Sequence, residues 1–169
     1  MSIVWRDKVS SSYNGNIESV LIVDDVKAEK PTPEEATNGV FVTLGGLAGM
    51  GREVKYAELG ADTDGDALLV ASPEVLYEAG KEIDDFVNEA KKVARAFRLA
   101  DGDVISLTED VITGTPAVGE TFIVGADGKL VKSASEEGAE KAVLQFKVRE
   151  NAGNELTRKQ NAWRFDIVK

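Results

Sequence analysis

Short runs of Val, Ile, Leu and Phe recur along this chain, separated by Gly, Asp and Asn, and that punctuation constrains the fold more than any other feature. Runs of this length suit strands. Segments 17–23, 40–44, 52–59 and 67–71 follow one another with polar or Gly-rich connections between them: a loop carrying Pro31 and Pro33 up to Asn38-Gly39, the stretch 45–51, and Asp62-Thr63-Asp64-Gly65-Asp66. In 52–59, Val54, Tyr56 and Glu58 share one face and Glu53, Lys55 and Ala57 the other, a partial period of two that favours strand over helix.

Residues 82–99 fit two periods, because Ile83, Phe86, Val87, Ala90, Ala94 and Phe97 fall at helical offsets while Val93, Arg95, Phe97 and Leu99 alternate. The reading adopted is irregular or helical structure over 82–92 and a strand over 93–99, turning at Asp101-Gly102 into a strand at 104–108 as a hairpin; the alternative extends the helix to Leu99. Later segments are plainer. Strands at 121–124 and 129–132 flank Gly125-Ala126-Asp127-Gly128, a second Asp-Gly hairpin signal. Ala142, Leu144, Phe146 and Val148 form one apolar face of 142–149, and Trp163, Phe165 and Ile167 one face of 163–168, which ties the C-terminus into a sheet.

About ten strands with short turns predict a mainly β fold, an antiparallel β-barrel or sandwich with at most one or two short helices. At 169 residues the chain fits one domain, 17–169, able to bury about 70% of its unfolded surface. The polar first sixteen residues, with Ser10-Ser11-Ser12, form either an extended N-terminal arm bearing Trp5 or an ordinary edge strand.

Several function classes are disfavoured by residues the chain lacks. There is no His and no Cys, which removes the commonest general base, metal ligand and nucleophile partner, so no enzyme, cofactor or metal site is expected. The formal charge of −10 is spread along the chain, and no basic cluster exceeds Lys91-Lys92 or Arg158-Lys159, which argues against nucleic acid as a partner. Nothing in the sequence reads as a secretory signal or a membrane span, so synthesis in the cytoplasm and no membrane partner are expected.

Three motifs invite chemistry and carry ordinary explanations. The acidic run 62–66 resembles a calcium loop but has Gly65 at its fourth position and Pro73 at its twelfth, so a polar turn is preferred. The Gly-rich stretch 45–51 lacks the order of a phosphate loop and reads as a flexible connection whose Leu47 and Met50 are free to insert into a neighbour. Adjacent acids Glu34-Glu35, Asp84-Asp85 and Glu136-Glu137 read as solvated surface.

The stretches Ser72-Pro73-Glu74-Val75-Leu76-Tyr77, Ile83-Asp84-Asp85-Phe86, Ala94-Arg95-Ala96-Phe97-Arg98-Leu99, Gly102-Asp103-Val104 and Leu107-Thr108 together carry a resemblance, joined by Pro116-Ala117-Val118-Gly119 and Ala162-Trp163-Arg164. Across about residues 15–169, the chain resembles small proteins encoded beside the major capsid protein in tailed phages of Gram-positive hosts. The resemblance implies a head decoration or cement protein on the capsid exterior, with the major capsid protein as partner and homo-oligomerisation open. Expected contact residues are Trp5 and Arg6 on the N-terminal segment and Leu47 and Met50 on the Gly-rich loop, apolar or cationic side chains on segments that a partner would order. A tail or baseplate adaptor and a carbohydrate-binding module are the alternatives.

Overall fold

The structure, a computed structural model, describes residues 4–8, 16–49, 53–62, 66–75, 80–135, 142–154, 156 and 159–169. Among them are eleven strands: β1 Val4–Lys8, β2 Ile17–Ile22, β3 Phe41–Leu47, β4 Val54–Leu59, β5 Leu68–Val70, β6 Ala94–Arg98, β7 Val104–Thr108, β8 Thr121–Val124, β9 Leu130–Lys132, β10 Gln145–Gly153 and β11 Ala162–Val168. Helical structure in the described residues is confined to three single 3₁₀ turns, Ile83–Asp85, Glu109–Val111 and Ser133–Ser135. The fold is mainly β, as the punctuation of the sequence predicts.

Strands β2-β4-β3-β5-β6 close into a barrel, and β1-β7-β11-β10-β8-β9 form a six-stranded sheet. The barrel interior is set by register: Val20, Ile22, Val42, Leu68 and Val70 share the inner face with Ala57, Ala94 and Ala96. All eight are buried. Five strands enclose a narrow interior, and the three alanines leave the branched side chains of the other strands room to fill it.

On the outer face Phe41, Leu69 and Phe97 lie in one row across β3, β5 and β6 and turn towards the sheet. The Phe41 ring meets Phe146 edge-on at 4.9 Å, Phe146 meets Phe165 at 6.5 Å, and Phe165 meets Phe122 at 5.9 Å. Barrel and sheet therefore share one continuous apolar core. The β8–β9 hairpin adds a polar joint: Gly128 O accepts from Phe41 N at 2.8 Å, and Phe41 O accepts from Gly60 N at 3.0 Å.

The structure corrects two topological expectations. The barrel is not wholly antiparallel, because β2 and β4 run parallel from Ser19↔Val54 to Ile22↔Ala57. The chain reaches β4 through β3, which pairs antiparallel on β4's other side, so no crossover helix is needed. Nor does Asp101-Gly102 close a hairpin: β6 belongs to the barrel and β7 to the sheet. Closure of the barrel fills both edges of β6 with β2 and β5, so the turn, with Gly102 at φ 84°, becomes a joint between the two layers. Asp103 secures it by accepting from Ala100 N at 2.9 Å, and Gly102 N donates to Ile167 O at 3.0 Å.

Between β5 and β6 the ambiguous stretch contains a single 3₁₀ turn, with Glu82 N donating to Asp85 Oδ2 at 2.9 Å, before the strand begins at Ala94.

Candidate interaction surfaces

The arm formed by β3 and β4 is the best-defined candidate. Strand β3 continues through Gly45 and Gly46 to Leu47, so this part of the Gly-rich stretch is strand rather than flexible connection. The ladder slips between Leu44↔Ala57 and Leu47↔Lys55, a bulge that gives the arm its own twist. A glycine is needed at position 45, because a Cβ there would stand 2.6 Å from the Val26 Cβ. Val26 is held in place by its backbone N–H, which donates to Glu58 Oε2 at 2.9 Å.

Below this contact Leu21, Val23 and Val54 are buried on the outside of the barrel, with Val26, Ala48 and Tyr56 packed against them. This second apolar cluster braces the arm. Leu47 stands beyond it and is 69% exposed, the most exposed large apolar side chain among the described residues.

The other expected contact residues lie elsewhere. Trp5 and Arg6 belong to β1, at the edge of the six-stranded sheet, where Trp5 is opposite Ser106; their side chains lie outside the description. Met50 falls outside the described residues. Trp5 and Arg6 thus sit on the sheet and Leu47 on the barrel, so they do not form one patch by strand adjacency.

A groove of ≈ 730 Å³, which the sequence did not point to, runs between the segment after β5 and the segment before β6, lined among others by Pro73, Val75, Phe86, Val93, Asp85 and Lys92. Its base is fixed by two buried amides. Asn38 Oδ1 accepts from Ser72 N at 2.9 Å and from Asn88 Nδ2 at 3.0 Å, while Asn38 Nδ2 donates to Ser72 O and to Glu74 Oε1, both at 2.9 Å. Asn88 also exchanges backbone bonds with Ala36. In a site shielded from water each of these groups would cost about 1–3 kcal/mol if left unpaired, so the network holds three separate segments in one geometry. In the sequence, Asn38-Gly39 reads only as loop.

Of the acidic run, residues 63–65 lie outside the described residues, while Asp62 and Asp66 have structural partners. Asp62 Oδ1 accepts from Asp66 N at 2.9 Å, and the Asp66 carboxylate is bridged by Arg98 at 3.4 Å and Lys169 at 3.2 Å. Two cations on one carboxylate leave a poor ligand for a metal ion and tie β6 to the end of β11. No group of three or more acidic side chains among the described residues could hold a metal ion. Glu34, Glu35 and Asp85 are exposed, and Glu136-Glu137 lie outside the described residues. No helix in the described residues is long and apolar enough to cross a membrane.

Two carboxylates titrate below their ordinary range. The backbone N–H of Thr32 holds Asp24 low, joined by that of Asp25. The Lys132 ammonium, at 2.9 Å, holds Glu120 low, joined by the N–H of Ala117. A depressed folded-state pKa contributes stability that is present above the unfolded value and lost as pH falls through the folded one. The melting temperature is therefore expected to hold down to about pH 5 and drop below about pH 4. Asp24→Asn and Glu120→Gln should each flatten that drop; thermal melts at stepped pH with an unchanged slope in both variants would remove these two groups as its source.

No family model, curated protein or solved structure was found to match the chain.

Proposed function

We propose that this chain is a non-enzymatic virion structural protein, a decoration or cement protein that binds the major capsid protein on the outside of a tailed-phage head. The observation that carries the reading is the braced arm: Leu47 is exposed on a strand that is anchored by its own apolar cluster, so an apolar contact is presented without the ordering cost of a loose loop. The sequence resemblance supplies the partner. The formal charge of −10 suits the exterior, away from packaged DNA.

Purified protein is expected to co-sediment with capsids that lack it, saturating at a fixed ratio to the major capsid protein. Leu47→Asp should weaken that binding about tenfold or more, the effect of losing one central apolar anchor. Binding by the parent chain with no change in the variant would move the contact off this arm; absence of saturable binding would end the capsid reading. A carbohydrate-binding module is the second reading, favoured by a groove of ≈ 730 Å³ with Asp85, Glu89 and Lys92 along its wall. Titration with a glycan panel separates the two.

A further inference from the structure

Five strands of the six-stranded sheet, β7 to β11, come from the C-terminal part of the chain, and the sixth, β1, comes from the other side of the barrel in sequence. Among the described residues, β1 pairs with β7 and with no other strand. Every residue of β7 is buried with β1 in place, so loss of β1 would uncover this edge. Seven residues, 9–15, separate β1 from Asn16, a length that spans about 25 Å when extended.

The far edge of β1 is guarded. Trp5 pairs with Ser106 and Lys8 with Val104, which sets two β1 residues, Arg6 and Asp7, against the single Ile105. A bulge among charged residues is a device that blocks further strand addition. A strand added at this edge would therefore have to replace β1 rather than extend it.

We infer that the edge of β7 is a strand-acceptor site and that β1 is exchangeable, so that β7 of one copy takes β1 of a second copy and the exchange closes as a two-fold dimer. The exchanged and unexchanged forms make the same β1–β7 contacts. What opposes exchange is the effective concentration of the chain's own tethered strand, about millimolar for a short linker. Dilute protein stays closed, and copies held at high local density exchange. The inference does not rest on the virion reading, because it is tested on the isolated chain.

The chain contains no cysteine, so each single variant carries one thiol, and only a disulfide that joins the two different masses reports a 5–106 contact. Opposed residues of an antiparallel pair stand within disulfide range, and Ser106 is 1% exposed, paired on one side to Trp5 of β1 and on the other to Arg164 of β11, whose Nε donates to Ser106 Oγ at 3.3 Å. Ser106→Cys and Trp5→Cys chains of different mass are mixed at about millimolar concentration and oxidised. A 5–106 disulfide between chains, increasing with concentration, is the expected result, with the double variant forming the same bond within one chain when dilute. An intrachain bond in the double variant, with no mixed dimer from the two single variants at about millimolar concentration, overturns the inference. The pair Val4→Cys and Leu107→Cys repeats the test in case the first pair perturbs folding.

Discussion

Truncation of Phe146 to alanine is expected to destabilise the chain by about 3–5 kcal/mol, a large share of what a domain of this size has to lose. Phe146 is fully buried on β10, opposite Phe122 of β8. Its ring is the link between the layers, meeting Phe41 of the barrel at 4.9 Å and Phe165 of the sheet at 6.5 Å. The neighbours cannot collapse into the space left behind, because Phe41 and Phe165 are each fixed in a strand ladder. The lost transfer energy is therefore joined by the cost of a cavity. Urea unfolding is the measurement, with Val143→Ala, 42% exposed, as a control expected to change stability by less than about 0.5 kcal/mol. A loss below about 1 kcal/mol for Phe146→Ala would mean that barrel and sheet do not depend on this junction.

The second large effect is expected at Gly128, where the hairpin meets the barrel. Gly128 has φ 74°, a left-handed conformation that costs an ordinary residue about 1–2 kcal/mol. A Cβ there would also stand 2.5 Å from the Phe41 carbonyl oxygen. That oxygen cannot withdraw, since it accepts from Gly60 N while Phe41 N donates back to Gly128 O. Gly128→Ala should therefore cost about 3 kcal/mol or more in total. Gly102→Ala separates the two causes: its φ is 84°, but nothing lies within 4 Å of its Cβ, so only the backbone cost of about 1–2 kcal/mol is expected. Equal losses at the two positions, measured by urea unfolding, would show that the hairpin and the barrel are not in contact at Phe41.

The contrast between these two glycines also marks how far the sequence could be read. Both stand in Asp-Gly pairs between apolar runs, and both read as hairpin tips. One is: β8 and β9 pair from Phe122↔Lys132 to Val124↔Leu130 around Gly128. The other joins two different layers, because β6 had no free edge left for β7. Among contact residues, Leu47 was legible as an apolar side chain in a glycine run, but the bracing of its arm depends on Val26, brought to Gly45 by the fold. The groove was not legible, since its walls come from 72–75 and 85–93, and Asn38, which fixes its base, lies far from both in sequence.

What the sequence by itself determined is where most strands run and which face of them is buried, as at Leu144, Phe146 and Val148 or at Trp163, Phe165 and Ile167, because alternation is a local property enforced by one apolar side. Only the tertiary structure decided which strands are neighbours: the parallel pairing of β2 with β4, the closure through β6, and the assignment of β1 to β7. Strand pairing is a competition among edges distant in the chain, and an edge already filled is closed to a sequence neighbour however well its turn is formed.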